Sequence, residues 1–349
     1  MTHQISAALL RLLPAETGHS AALRGLSAGL GPHERADDFP ALRQELCGMH
    51  FANPVAVSAG FDKNAAVIPG VRGMGGGFVE IGGVTPLPQP GNPKPRLFRL
   101  AEDRAAINRL GFNNEGAQVI LERVRAAKRA DHPLGVNLAA NSDSQDPAQD
   151  FVILVAQFAP VADFLTIDIS CPNSANGQVF LEPKALEDLL ARLNEARDAS
   201  GARPAFFGKL APDLDDDQLY ELIAVMRTAS IDAITLCNTS TARPSSLRSA
   251  NAAQRGGLSG APLFEMANEM LRKVYVHTAG DVPLIGVGGI MSGEDAYTKI
   301  RAGASLVQLY TGLVYAGPGL VQEIKCDIAA RLTRDGFSHI SEAVGAEHR

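Results

Sequence analysis

Residues 164–173 read Phe-Leu-Thr-Ile-Asp-Ile-Ser-Cys-Pro-Asn. The apolar start is typical of a buried strand, and the residues after it bring a carboxylate, a thiol and an amide to its carboxyl end. In a parallel barrel that end opens onto the ligand. Cys171 has two open interpretations, a base that removes a proton from carbon or a small buried residue. A free thiol has a pKa of ~8.5 and Asp168 would oppose its ionisation, so the residue types alone favour burial.

The same pattern of a short apolar run, a loop and an amphipathic helix recurs along the chain. Eight buried strands separated by helices predict an α/β fold, a (β/α)8 TIM barrel, over residues 36–349. The acidic run at 213–217 is typical of a solvated helix start, and Ser292 with Asp295 resembles a capping box. The predicted strands are 55–59, 78–81, 134–138, 164–169, 205–210, 233–236, 284–287 and 305–310.

Two regions interrupt this pattern. Residues 86–113 form a long insertion, rich in Pro, Asn and Arg, that we expect to be irregular and functional. Residues 1–35 predict a small helical hairpin, with Pro14 between two stretches that have leucines at helical spacing. The hairpin is either docked on the barrel or a membrane-surface element that admits a lipid-soluble partner. The apolar positions are Ile5, Leu9, Leu12 and Leu13, then Leu23, Leu26 and Leu30.

Composition and charge argue against several classes of protein. A net charge of −6 over 349 residues gives no reason to expect a nucleic-acid partner. The four cysteines are far apart and form no C-x-x-C pair, so we expect neither a disulfide framework nor a metal site, and a reducing compartment. No run of about 18 apolar residues predicts a spanning helix, and the amino-terminal residues do not resemble a secretory signal.

Glycine-rich segments follow the last two predicted strands. Residues 283–290 read Pro-Leu-Ile-Gly-Val-Gly-Gly-Ile, and residues 307–312 read Val-Gln-Leu-Tyr-Thr-Gly. In such barrels these loops commonly bind phosphate through backbone N–H groups, although glycines in tight turns are the plainer interpretation. The frame is not the G-x-G-x-x-G dinucleotide pattern. Residues 256–260 (Gly-Gly-Leu-Ser-Gly) add a third, weaker glycine-rich loop.

Polar residues stand at the carboxyl ends of several predicted strands, namely Lys63, Asn137, Asp168, Lys209 and Asn238. Lys209 lies inside an apolar run, where its charge would be costly unless it meets an anion. A flavin that accepts a hydride gains negative charge, and a nearby lysine would stabilise it. These residues therefore indicate one polar ligand site at the barrel mouth.

Several long motifs, in order along nearly the whole chain, resemble the dihydroorotate dehydrogenase family. The hairpin and the Pro-rich insertion resemble its membrane-associated, quinone-using class. The motifs are residues 58–64 (Ser-Ala-Gly-Phe-Asp-Lys-Asn), 85–99 (Thr-Pro-Leu-Pro-Gln-Pro-Gly-Asn-Pro-Lys-Pro-Arg-Leu-Phe-Arg), 108–114 (Asn-Arg-Leu-Gly-Phe-Asn-Asn), 209–213 (Lys-Leu-Ala-Pro-Asp) and 286–290 (Gly-Val-Gly-Gly-Ile).

The resemblance implies an FMN-binding barrel that oxidises dihydroorotate to orotate in pyrimidine biosynthesis. In the family a base takes a proton from C5 of the ring and a hydride leaves C6 for flavin N5. Electrons then pass to a quinone near the amino-terminal helices, which implies peripheral association with the cytoplasmic side of the cell membrane.

Matching positions carry the family's site residues onto this chain. The base position is Cys171. The resemblance implies that the substrate contacts are Lys63, Asn108, Arg109, Leu110, Gly111, Phe112, Asp168, Asn173, Asn238 and Thr239. It implies that the flavin contacts are Ala59, Gly60, Phe61, Asp62, Lys63, Gly83, Asn137, Asp168, Lys209, Cys237, Gly260, Gly289, Tyr310 and Thr311.

Three positions depart from the quinone-using pattern. Cys171 stands where that class has Ser, Asp168 where the family has Asn, and Gly83 where a Thr is frequent. An ionised Asp only accepts hydrogen bonds and would repel the substrate carboxylate. Asp168 is therefore protonated, or lies away from that carboxylate and accepts from ring N–H groups, or the substrate differs. The alternatives are a flavin oxidoreductase acting on another dihydropyrimidine or cyclic amide, and an inactive flavin-binding barrel at the membrane surface.

Overall fold

The computed structural model describes residues 2–127, 132–170 and 178–349. Eight parallel strands close a barrel in the order β3, β4, β7, β8, β9, β10, β12, β13, so the predicted fold class is confirmed. All eight predicted barrel strands are present, with bounds that differ by up to three residues. The strands are β1 Gln44–Leu46, β2 Met49–Phe51, β3 Val55–Val57, β4 Phe78–Val84, β5 Leu97–Leu100, β6 Ala105–Asn108, β7 Leu134–Leu138, β8 Phe164–Asp168, β9 Ala205–Leu210, β10 Ala233–Leu236, β11 Gly257–Gly260, β12 Leu284–Val287 and β13 Ala304–Leu309.

Helices surround the barrel and bury their apolar faces on its outer surface. Asp215 caps the helix that starts at Asp216, accepting from Gln218 N at 2.9 Å, which confirms the predicted helix start. Ser292 caps the helix from Gly293, but Asp295 accepts from Met291 N instead of Ser292 N. The helices are α1 Thr2–Arg11, α2 Ala15–Ser27, α3 Ile68–Arg72, α4 Ala117–Ala126, α5 Pro147–Phe158, α6 Pro183–Ala199, α7 Asp216–Thr228, α8 Phe264–His277, α9 Gly293–Arg301, α10 Thr311–Ala316, α11 Leu320–Arg334 and α12 Ile340–Ala343.

Aromatic rings fill the amino-terminal half of the barrel interior. Phe164 and Phe207 stack with ring centroids 4.5 Å apart, and Phe78 meets Phe164 edge-on at 6.1 Å. Phe51, on the antiparallel β1–β2 hairpin, packs on Phe78 at 5.4 Å and closes this end. The sequence patterns did not predict that hairpin. With one end of the barrel filled by aromatic rings, the carboxyl ends of the strands are the face left for a ligand.

The Pro-rich insertion is more regular than its composition predicts. It contains β5 and β6, which pair with β11 in a three-stranded antiparallel sheet. The prediction of an irregular segment at 86–113 was therefore wrong in part, and residues 257–260 form a strand rather than a loop. The strand pattern was obscured because each strand is only four residues long, and β11 is partly glycine.

The amino-terminal hairpin consists of α1 and α2, joined at Pro14 as predicted. Arg99 of β5 donates to Arg11 O at 2.9 Å and to Leu13 O at 2.7 Å, where α1 ends. Apolar side chains on the hairpin remain in solvent, with Leu12 81% exposed. In the part of the chain that the structure describes, no helix is long and apolar enough to cross a membrane.

Candidate active site

A polar layer lies inside the barrel above the aromatic rings. Because side chains alternate along a strand, the residues two positions beyond the inward-facing Phe78, Phe164 and Phe207 also face inward. These are Glu80, Thr166 and Lys209. The Glu80 carboxylate accepts from Gln308 Nε2 and, at 3.5 Å, from Asn137 Nδ2. The aromatic half of the barrel is thus followed by this polar layer, in which the Glu80 side chain is hydrogen-bonded to its neighbours.

Asp168 occupies the centre of this polar end. It is 6% exposed. Its Oδ2 lies 3.4 Å from Lys209 Nζ, and its Oδ1 accepts from Asn238 Nδ2 at 3.0 Å. Adjacent positions on the paired strands β8 and β9 bring Asp168 and Lys209 together. The Asp168 carboxylate therefore contacts a cation and accepts a hydrogen bond from an amide within the protein itself.

The loop after β3 forms one side of the site. Asp62 is buried, and its carboxylate accepts from Ala66 N and Val67 N, each at 2.8 Å, so its side chain holds the loop. Lys63 Nζ donates to Gly60 O at 2.6 Å. Burial, and then the positive field of Arg96, lower the pKa of Lys63 to about 8. Lys63 is therefore a cation at neutral pH whose charge an anionic ligand would stabilise.

The segment after β6 lies across the mouth. Asn108 and Leu110 line the central cavity. Arg109 instead stacks over Phe98 at 4.6 Å and donates to Arg255 O at 2.9 Å, so its guanidinium faces the exterior. Phe112 packs against Gly83, where an added Cβ would lie 2.8 Å from the ring. A Thr at position 83 would therefore require Phe112 to move. The position of the Phe112 ring is thus consistent with Gly83, where the family frequently has Thr.

The glycine-rich end of the site lies beside β11. Gly260 and Gly289 adopt positive φ, and a Cβ on Gly289 would come within 2.4 Å of Phe264 Cα. Only glycine fits this close approach of two backbones. Thr311 Oγ1 bonds Ser259 Oγ at 2.8 Å. The two glycines, Thr311 and Ser259 all line the central cavity and form a polar pocket in its wall from glycine backbone and two hydroxyls, surroundings that suit a phosphate group.

Cys237 belongs to the wall of the site and not to its reactive groups. Its thiol is buried and lies 3.6 Å from Val287 O. Burial raises the pKa of this thiol to about 11, so it is protonated at neutral pH. Cys171 and Asn173 lie outside the described residues.

One cavity of about 520 Å³ joins the barrel mouth to the amino-terminal hairpin. Its inner wall includes Lys209, and its outer wall includes Leu9 and Leu30 of the hairpin region. Besides Arg109, the predicted residues within the described ranges that do not line the cavity are Gly60, Asp62, Lys63, Gly83, Gly111, Phe112, Asn137 and Asp168. The predicted residues that do line it are Ala59, Phe61, Asn108, Leu110, Lys209, Cys237, Asn238, Thr239, Gly260, Gly289, Tyr310 and Thr311.

His19 of α2 lines the cavity between these two ends, and the sequence patterns did not single it out. Its ring centroid is 5.4 Å from Phe61 and 6.1 Å from Tyr310. Burial, and then the charge of Lys63, lower the pKa of His19 to about 4, so it is neutral at pH 7. Its spacing of four and seven residues from Leu23 and Leu26 marks the same helix face, and that signal could have identified it.

Comparisons with known proteins identify the family of this chain. The sequence profile of the family described as dihydroorotate dehydrogenase matches residues 41–332. The chain belongs to the dihydroorotate dehydrogenase family. It is 48% identical over 340 residues to a protein of Rhodospirillum rubrum named dihydroorotate dehydrogenase (quinone), covering 97% of this chain and 92% of that one. A protein of Parvibaculum lavamentivorans with the same name is 47% identical, with 97% of each chain covered.

Solved structures of the family have the same architecture. Dihydroorotate dehydrogenase from Eimeria tenella in complex with ferulenol superposes with a TM-score of 0.92 at 35% identity, covering 98% of this chain and 99% of that one. The ligand-free form of that protein also gives a TM-score of 0.92. The resemblance seen in the motifs is confirmed. The chain is accordingly a flavin-dependent oxidoreductase of pyrimidine biosynthesis, in the quinone-dependent branch of its family.

Proposed function

We propose that this dihydroorotate dehydrogenase uses FMN as its flavin, Cys171 as its general base and a membrane quinone as its electron acceptor. The observation that carries the proposal is a continuous cavity that connects the polar barrel mouth with the apolar hairpin. A polar ring substrate suits the first end, and a lipid-soluble acceptor suits the second. The net reaction converts dihydroorotate and quinone to orotate and quinol, a transfer of two electrons and two protons.

The residues present fit a flavin mononucleotide. Thr166 and Thr235 carry buried hydroxyls without a hydrogen-bond partner among the described residues, and both lie in the polar layer. A polar ring system bound on this layer gives such groups a partner. Lys209 and Asn137 would hold the ring system, and the pocket at Gly260, Gly289 and Thr311 would hold one phosphate. When bound, the flavin supplies the two-electron chemistry, taking electrons from the substrate and releasing them to the acceptor.

The chain's own groups would bind and orient dihydroorotate. Lys63 offers a cation for the substrate carboxylate, and burial makes that interaction stronger than it would be in water. Asn108, Asn238 and Thr239 would pair with ring amide groups. Asn238 Oδ1 accepts from Thr239 N at 2.8 Å and its Nδ2 donates to Asp168, so the amide has a fixed orientation. The proposed role of Cys171 is to take the C5 proton as a thiolate.

The hairpin would receive the quinone. His19, Phe61 and Tyr310 form an aromatic constriction between the two ends of the cavity. A neutral imidazole can donate to a quinone carbonyl without placing a charge in an apolar passage. Exposed Leu9, Leu12 and Leu30 would face the lipid on the cytoplasmic side of the cell membrane.

Stopped-flow spectroscopy tests this assignment in two steps. Dihydroorotate should bleach the flavin without oxygen, and a soluble quinone should restore its colour. Cys171→Ala should keep the flavin but slow bleaching by ~10²–10⁴-fold, the usual loss of a general base. His19→Ala should bleach at the normal rate and recover slowly. Normal bleaching in Cys171→Ala excludes the thiol as base, and normal recovery in His19→Ala excludes the proposed quinone passage.

The alternative of another dihydropyrimidine substrate was motivated by Asp168. In the structure this carboxylate already has Lys209 and Asn238 as partners, so no change of substrate is needed to accommodate it. A panel of neutral dihydropyrimidines, read by flavin bleaching, separates the two functions. The present proposal requires dihydroorotate to reduce the flavin fastest.

A further inference from the structure

Asp168 places a buried negative charge beside Lys209 of the polar layer. The carboxylate side chain is 4% exposed and the Lys209 side chain 11% exposed, and their charged atoms are 3.4 Å apart. Lys209 and Asn238 line the cavity, whereas Asp168 does not line it and contacts both of them. A ligand in the cavity would therefore contact Lys209 directly, and the Asp168 carboxylate would influence that ligand by offsetting the positive charge of Lys209.

Glu80, a second buried carboxylate of the layer, is arranged differently. Its carboxylate accepts from the side-chain amides of Asn137 and Gln308, which carry no charge. Asp168 alone of these two forms an ion pair with the cation at the cavity wall. Removing the negative charge of Asp168 would therefore change the electrostatic potential at the cavity wall beside Lys209 more than removing the negative charge of Glu80.

Charge near a flavin changes how readily it accepts electrons. Reduction adds negative charge, so a fixed cation stabilises the reduced form and raises the reduction potential. A carboxylate in contact with that cation has the opposite effect, and screening by solvent is weak at a buried site. We propose that Asp168 sets the reduction potential of the flavin in this chain by offsetting the charge of Lys209. The inference rests on the proposed function, since it requires a flavin beside Lys209.

Asp168→Asn tests this role because it removes the charge and keeps the shape of the side chain. The midpoint potential, measured by equilibration with a reference dye, should rise. Sulfite, which adds only to an electron-poor flavin, should bind about tenfold more tightly, equivalent to about 1.4 kcal/mol. Asp217→Asn is the matched control, because Asp217 is exposed at the start of α7 and its change alters the net charge equally. That variant should match the wild type in both measurements.

Both readouts report on the flavin alone and need no dihydroorotate. An unchanged potential and sulfite affinity in flavin-loaded Asp168→Asn would overturn the inference while leaving the proposed function intact. Protein that binds no flavin in its wild-type form would instead overturn the proposed function. If Asp168→Asn does not load flavin, Asp168→Ser provides the same charge change. Loss of flavin from both variants would also contradict the inference, because a residue that only adjusts the potential must be dispensable for binding.

Discussion

Arg99→Met should weaken the attachment of the amino-terminal hairpin to the barrel without unfolding the barrel. Arg99 donates to Arg11 O at 2.9 Å and Leu13 O at 2.7 Å, and the guanidinium faces the carboxyl end of α1, where the helix dipole favours a cation. Each bond contributes about 1–1.5 kcal/mol at a partly exposed site, so the variant loses roughly 2–3 kcal/mol of local stability. Local opening of the hairpin should then become roughly 30- to 150-fold more frequent.

Hydrogen exchange read by mass spectrometry measures this opening. Peptides within residues 2–27 should exchange faster by that factor, and peptides from β7 to β9 should be unaffected. Arg248→Met is the control, since Arg248 pairs with Asp103 beside the same sheet and is not among the arginines that bond the hairpin. Equal protection of the hairpin in Arg99→Met and the wild type would refute the reasoning that Arg99 holds it.

Two further predictions concern the ends of the cavity. Gly25 lines the cavity, and a Cβ there would meet no atom within 4 Å, so Gly25→Leu should fold normally and narrow the cavity. Turnover by this variant should be severalfold slower with a long-tailed quinone and normal with a tail-less quinone. Ser20→Leu, an exposed change on the same helix, is the control and should leave turnover with both quinones unaffected. Lys63 has a lowered pKa of about 8 and binds an anion only when protonated, so orotate affinity should hold below pH 8 and fall about tenfold from pH 7 to pH 9. Lys63→Met should bind orotate weakly at pH 7 with a shallower pH dependence, and identical pH profiles would exclude Lys63 as the carboxylate partner.

The barrel could be predicted from sequence because each strand is a compact apolar run and several of the strands have a polar residue at or near the carboxyl end. Lys209 illustrates this well, since a lysine within Phe-Phe-Gly-Lys-Leu requires a special environment, and the structure supplies Asp168. The hairpin was predictable for the same reason, from leucines at helical spacing around Pro14. In both cases the pattern is local and its physical cause is burial of one face.

Other features depend on contacts between residues far apart in the chain. The sheet of β5, β6 and β11 joins segments about 150 residues apart, and no local pattern indicates that pairing. The orientation of Arg109 likewise depends on its hydrogen bonds to Arg255 O and Pro95 O. The motif at 108–114 carries no information about these distant partners, so it led to the prediction that Arg109 contacts the substrate. The link between Gly83 and Phe112 is another such contact, because the missing side chain is explained only by the ring that fills its place.

The most direct test of the proposed function is an anaerobic titration of the purified protein with dihydroorotate. We expect yellow protein that releases FMN on denaturation, loses its flavin colour in proportion to added dihydroorotate, and forms one orotate for each flavin bleached. A flavin that stays oxidised at saturating dihydroorotate, or bleaching without orotate, would contradict it.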